Sequence, residues 1–343
     1  MNISFNLRPV EGAFGGGNSF LTNFSSSIEK LGFEISYDLQ NPNLDFIFLL
    51  DPRSRHPMLQ YKPSDISRYL LRNPRAIVVH RINECDQRKL TNSMNYKLKT
   101  ANYIADSTVY VSEWLRDLNF LEKDKIKNSF DVVIRNGSNT NLYYPDSNSC
   151  WNGDEKLRIV THHWSSNEMK GLSLYTALDE LLVKSSWREK IEFTYIGNVS
   201  RKFDFKHTRT IRPIFGRDLA RELRRHHVYI TGSLNEPGGN HQNEGILSGL
   251  PIIYINSGSM HEYCEGFGIA ITGSQDLASA LEKMLEGYGS FRTKIPTFPH
   301  TSTNMVNNYV AHLEFLSSKR SEIVENRRIL RKLKTFLRLQ LPM

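Results

Sequence analysis

The 343-residue chain is 39% hydrophobic and 23% charged, with a formal net charge of +8, a globular composition that excludes a disordered chain. No run approaches the ~20 apolar residues of a membrane span, and Met1-Asn2-Ile3-Ser4-Phe5-Asn6 lacks the basic and apolar regions of a secretory signal, so a cytoplasmic location is expected. Cys85, Cys150 and Cys264 are too few and too far apart for a disulfide framework or a Cys-x-x-Cys zinc site.

In chain order, a strand pattern at Ile3 to Leu7 leads through a glycine-rich stretch ending in Gly15-Gly16-Gly17 to a helix predicted from Asn18 or Ser19 to about Leu31. Short apolar runs at Asp45 to Leu50, Ala76 to His80 and Val132 to Arg135 then alternate with helical patterns at Ser64 to Arg72, Arg88 to Ala101 and Ser112 to Leu118. Residues 144–155 are polar, rich in turn formers and free of periodicity. A second series follows: strands at Leu157 to Thr161, Ile191 to Ile196, Val228 to Thr231 and Ile252 to Ile255, with helices at Gly171 to Leu182 and Arg217 to His226. Strand–helix alternation predicts parallel sheets covered by helices, and the length suits two domains.

The expected architecture is therefore α/β, with two tandem doubly wound, Rossmann-like domains facing an interdomain cleft. The expected divisions are 1–145, a linker at 146–156, a second domain at 157–316 and a C-terminal helix at 317–343. Lys319 to Arg338 carries eight basic residues against Glu322 and Glu325, with apolar residues at helical spacing. This reads as a basic amphipathic helix, which either docks on the protein's own body or meets an anionic membrane surface. No nucleic-acid partner is expected.

Ligands of such sheets bind beyond the carboxyl ends of strands, where the notable loops fall. The segment Glu236-Pro237-Gly238-Gly239-Asn240-His241-Gln242-Asn243-Glu244 follows the strand Val228 to Thr231 and is succeeded by a helix that Gly249-Leu250-Pro251 ends. Its glycines let backbone amides approach a ligand, although either glutamate would also serve as an ordinary helix cap. His162, His163, Trp164 and Lys170 follow the preceding domain-opening strand, and Lys170 by itself also fits a solvated surface lysine. His80, at a strand end, and Gly15, Gly16 and Gly17 are the first half's counterparts. Gly12 to Gly17 lacks the G-x-G-x-x-G order of a dinucleotide-binding loop, which weakens an NAD-dependent oxidoreductase reading.

Several of these segments occur together in a known pattern. Glu236 and Glu244 with Gly249 to Ile253, then Ser257-Gly258-Ser259-Met260-His261-Glu262, Val133 to Pro145 around Asn136-Gly137, Ala105 to Trp114, and Lys170-Gly171 resemble motifs of retaining GT-B-fold glycosyltransferases of the family-4 type. The resemblance spans about residues 1–316 and is strongest over 130–265.

It implies transfer of a sugar from a nucleotide-diphosphate sugar to an acceptor hydroxyl, in glycan, polysaccharide or glycolipid assembly. In that reading Lys170 stabilises the departing diphosphate, Glu244 binds the ribose hydroxyls and Glu236 faces the sugar. Asn240, His241 and Gly15 to Gly17 would contact the donor; His162 or His163 would replace an arginine commonly present there, or both pack as polar core at the strand end; and His80 would assist catalysis or contact the sugar, with packing or acceptor binding equally open. No cofactor or metal is expected, because no Asp-x-Asp pair holds a divalent ion on the diphosphate. A non-catalytic nucleotide-sugar-binding subunit of the same fold is the competing reading.

Overall fold

The computed structural model describes residues 1–10, 15–53, 55–121, 130–146, 150–199 and 204–327. Among them, twelve strands form two six-stranded sheets with only parallel pairings. The chain divides into two compact units, Met1–Arg135 joined by the chain from Met305 onward, and Asn136–Asn304. The division thus falls at Asn136, ahead of the polar stretch at 146–156, and the chain crosses back before residue 316. The early return has a packing cause. The helix Ser302–Ser318 places Met305, Val306, Tyr309, Leu313 and Leu316 in the first unit's core, where burial outweighs sequence proximity.

The first sheet contains β1 (Asn2–Phe5), β2 (Glu34–Ser36), β3 (Phe46–Leu49), β4 (Ile77–Ile82), β5 (Ser107–Tyr110) and β6 (Val132–Val133), in the order β2-β1-β3-β4-β5-β6. β3 and β4 are buried along their whole length, which explains their near-continuous apolar sequences. An aromatic cluster of Phe5, Phe24, Phe48 and Tyr309 ties the sheet to two helices, with ring centroids 5.0 Å apart for Phe5–Phe48 and 4.8 Å for Phe24–Tyr309. The predicted helix at Arg88 to Ala101 is two helices, Asp86–Lys89 and Met94–Ala101, because Leu90 between them adopts left-handed backbone geometry.

The second sheet contains β7 (Leu157–His163), β8 (Ile191–Gly197), β9 (Arg209–Ile211), β10 (Val228–Thr231), β11 (Ile252–Ile255) and β12 (Gly268–Ile271). Its order, β9-β8-β7-β10-β11-β12, is 3-2-1-4-5-6 counted from its own first strand. Connections run outward in opposite directions from β7 and β10, which opens a crevice at their carboxyl ends.

The C-terminal expectation is corrected where it can be followed. The helix Arg320–Asn326 stops at Asn326, Arg327 turns to extended geometry, and residues 328–338 of the expected helix lie outside the described residues. Ile323 is buried in the first unit's core, and Arg320 donates to Asp45 Oδ1 at 3.1 Å. Arg327, 4% exposed, grips Asp106 through Nε–Oδ1 at 3.0 Å and Nη2–Oδ2 at 2.9 Å and also donates to the carbonyls of Pro74 and Ala76. For these residues the basic segment docks on the protein itself.

Truncating one partner of a buried ion pair strands the other charge at a cost of about 3–5 kcal/mol. Arg327→Met is therefore expected to lower the unfolding free energy obtained from urea titration by that amount, whereas Arg327→Met combined with Asp106→Leu recovers much of it. A second expectation concerns acid. Burial lowers His312 in the first unit, and His226 and His227 in the second, from 6.5 to about 4. Their folded forms disfavour the proton, so the stabilisation is complete above pH 6.5 and is lost as pH falls from there towards 4. Thermal melts across that range should show a falling midpoint, with a shallower slope in His312→Gln.

Candidate active site at the carboxyl ends of β7 and β10

Two glycines set the spacing of the crevice. Gly171, at φ +80°, lies so near Gly232 that a Cβ on it would stand 2.0 Å from the Gly232 carbonyl oxygen. The turn Glu168–Lys170 after β7 therefore packs directly against the loop after β10, and Leu234 N–H donates to Met169 O at 2.9 Å. From this contact Lys170 reaches Glu236, with Nζ 3.4 Å from Oε2.

A second loop braces Glu236 from its other side. Gly258, at φ +65°, allows the Ser257-Gly258-Ser259 backbone to bridge to Glu236, where a Cβ would lie 2.4 Å from the glutamate nitrogen. Ser259 donates to Glu236 O through both N–H and Oγ–H, each at 2.8 Å. The carboxylate thus projects from a fixed backbone.

Glu244 lies in the first turn of the helix His241–Leu247. Gly245 lets that helix sit against β10, since a Cβ would be 2.5 Å from the Tyr229 ring. His162 Nε2–H donates to Glu244 Oε2 at 2.8 Å, and Tyr229 Oη–H donates to His162 Nδ1 at 3.1 Å. This assigns the Nε2-protonated tautomer to His162 and fixes its ring between a tyrosine and a carboxylate. Burial pushes the Tyr229 phenol well above its ordinary value, so it stays protonated as donor.

The other histidines point inward. His163 is 3% exposed and accepts at Nε2 from Tyr175 Oη at 2.6 Å, while that oxygen accepts from Gly232 N–H at 2.9 Å and Thr161 Oγ1–H at 3.2 Å. His241 is buried, with Nε2 3.0 Å from Thr231 Oγ1 and its ring centroid 5.0 Å from that of His163. Both support the loops from beneath. The expected contact of His163 with a departing phosphate, and of His241 with the donor, is not what their burial provides.

Asn240 immediately precedes the His241 helix, and its Oδ1 is buried and accepts no hydrogen bond among the described residues. Asn136 locks the loop at its other end: its Nδ2 donates to Gly238 O at 2.6 Å, and its carbonyl accepts from Asn243 Nδ2 at 3.1 Å. A Cβ at Gly137 would meet Thr301 O at 2.0 Å, so Asn136-Gly137 is a tight packing point within the second unit. Trp164 stands exposed after β7, its carbonyl held by Asn198 Nδ2 at 2.7 Å. Arg201 and Lys202, which the sequence places after β8 as possible phosphate-binding cations, lie outside the described residues.

In the first unit, Gly15, Gly16 and Gly17 form the first turn of the helix Gly15–Lys30, which starts earlier than expected, and residues 11–14 lie outside the described residues. Gly17 packs near Asn83, whose Nδ2 would be 3.9 Å from an added Cβ. His80 is wholly buried inside β4, paired in register with Thr108, and its Nδ1 meets Asn102 Nδ2 at 3.0 Å. Extension of β4 to Ile82 carries the strand past His80, so that side chain joins the core. Sequence reasoning missed Tyr175, Tyr229, Thr231 and Gly232; the polar Thr-Gly-Ser at 231–233 after an apolar strand was the available signal. Among the described residues no helix is long and apolar enough to cross a membrane, and no group of three or more His, Cys, Asp or Glu gathers to hold a metal.

No protein-family model matches the chain, and no curated protein matches it in sequence. Solved structures do match in fold. HepE of Anabaena, in complex with UDP, aligns with a TM-score of 0.67 at 14% identity over 93% of this chain and 100% of that one. Sucrose-phosphate synthase from Thermosynechococcus elongatus gives 0.65 at 12% identity over 92% and 99%. A glycosyltransferase from Rickettsia africae gives 0.61 at 14% identity over 95% and 99%. The chain has the two-domain α/β fold of the GT-B glycosyltransferases.

Proposed function

We propose that the protein is a glycosyltransferase of the retaining, metal-independent, family-4 type, moving a sugar from a nucleotide-diphosphate donor to an acceptor hydroxyl in glycan, polysaccharide or glycolipid assembly. The observation that carries this reading is the contact of Lys170 with Glu236 at the β7–β10 crevice, with Glu244 on the adjacent helix. HepE has been solved with UDP-glucose and with UDP and glucose, which favours UDP-sugars as the first donors to test.

The chemical division of labour follows from charge. Breaking the bond between anomeric carbon and phosphate oxygen leaves negative charge on the diphosphate. Lys170, just ahead of the helix Leu172–Leu181, supplies an ammonium beside the positive end of that helix's dipole. Exchange of Glu236 for the diphosphate as partner of Lys170 leaves the carboxylate to hold the transferred sugar. Glu244, oriented by His162, accepts from the ribose hydroxyls. The buried Oδ1 of Asn240 gains a donor when a hydroxyl-bearing ligand enters. The acceptor hydroxyl attacks the same face and gives its proton to the departing phosphate oxygen, a route that needs no protein nucleophile.

Lys170→Ala should lower kcat by about 100- to 1,000-fold with the productive donor. Glu244→Ala should weaken UDP binding by about 10- to 100-fold, the equivalent of losing hydrogen bonds to a charged group. Glu236→Ala should leave UDP affinity nearly unchanged and reduce transfer. Calorimetry with UDP and GDP, followed by product analysis with lipid-linked, glycan and small-molecule acceptors, provides the readout. Wild-type binding and turnover in all three variants would overturn the assignment. UDP binding with neither transfer nor Lys170-dependent donor hydrolysis would instead identify a non-catalytic binding subunit.

A further inference from the structure

At the amino ends of the second sheet's strands, away from the β7–β10 crevice, lies a group of arginines that the proposed reaction does not use. Arg158 is the second residue of β7, roughly 13 Å along the strand from His162 at 3.3 Å per residue. Two adjoining cavities of about 420 and 500 Å³ open there. Both are lined by Arg224, Arg225 and Asp146; Arg158 and Arg209, with Glu192 and His226, also line the first, and Arg221, with Tyr144 and Pro145, the second. These volumes fall within the range of small-molecule pockets, about 300–1,000 Å³.

The guanidinium groups are held in place. Glu222 has only 8% of its side chain exposed and divides its carboxylate between Arg209 at 3.1 Å and Arg225 at 3.0 Å. Those two side chains are 62% and 65% exposed, so one buried anion holds two largely exposed forks. Arg224 donates to Leu142 O at 3.0 Å and stacks over the Tyr144 ring at 4.3 Å. Arg158 donates through Nε to Arg225 O at 2.6 Å. The helix Gly216–Leu223 and the residues after it present Arg217, Arg221 and Arg224 at spacings of four and three, on one face.

The lining cations are all arginines; Glu155 pairs with Arg158, Asp218 with Arg221 and Glu222 with both Arg209 and Arg225, so carboxylates set the forks' positions, while Asp146 and Glu192 also line the cavities. Planar, always-charged forks in fixed positions match the oxygens of phosphate better than single ammonium charges do. We infer that this groove binds the phosphate groups of a small phosphorylated molecule, at a site separate from the crevice that holds Lys170 and Glu236.

Calorimetric titration of inorganic pyrophosphate into full-length Lys170→Ala protein tests this without a contribution from Lys170. Salt-sensitive binding is expected, weakened about tenfold or more by adding Arg209→Gln with Arg225→Gln. Because that pair could unsettle Glu222, Arg221→Gln with Arg224→Gln is the second test; it leaves both Glu222 pairs intact and should weaken binding to a similar degree. Circular dichroism and thermal melts establish that each variant is folded, and the second pair decides if the first is not. Absence of pyrophosphate binding, or affinity unchanged by the substitutions in folded protein, overturns the inference. So does binding confined to phosphatidylglycerol vesicles with none to soluble pyrophosphate, which would mark a lipid-facing surface instead.

Discussion

The candidate site depends on how closely two loops approach at Gly171 and Gly232. A side chain at Gly171 would occupy the position of the Gly232 carbonyl, and its positive φ would strain any other residue. That contact sets the distance between the turn bearing Lys170 and the loop bearing Glu236. Since Gly232 N–H also donates to Tyr175, whose oxygen meets His163 and Thr161, the loop is held from the core side as well. The polar groups beneath the crevice hold its shape, and those at its surface carry the charges.

The crevice carboxylates each meet a donor within the unit: Glu236 the ammonium of Lys170, and Glu244 the Nε2–H of His162. Such pairing limits the cost of keeping charges partly out of water. It also suits a site that must accept an anion, because a diphosphate can replace one carboxylate as the partner of Lys170 without leaving a cation bare. The histidine opposite Glu244 matters through geometry, with Tyr229 on one ring nitrogen and the carboxylate on the other.

Much of the fold was legible because its strands are buried on both faces. Val228–Thr231 and Ile252–Ile255 read directly from continuous apolar and β-branched runs, and the structure reproduces both boundaries. The short strands Arg209–Ile211 and Gly268–Ile271 were not legible: the first is exposed and polar, and the second begins with glycine against the neighbouring strand's backbone. The C-terminal segment left two settings open for a different reason. Its periodicity and charge describe an amphipathic helix equally well on a membrane or on a domain, and Arg327 counts as a surface cation until Asp106, more than two hundred residues earlier, appears beside it.

By itself the sequence determined that the chain is α/β, that its polar and glycine-rich loops follow strands, and that Lys170 and Glu236 belong to such loops, with Glu244 where a helix begins. These are properties of local pattern: apolar periodicity, helix breakers and residue chemistry act over a few neighbours. Only the tertiary structure decided which histidine faces a carboxylate. His162 and His163 are adjacent in sequence, yet alternation along β7 sends one to Glu244 and the other into the core beside Tyr175. It likewise buried His80 within β4 and drew the chain after Met305 into the first unit, because those outcomes depend on burial against distant residues.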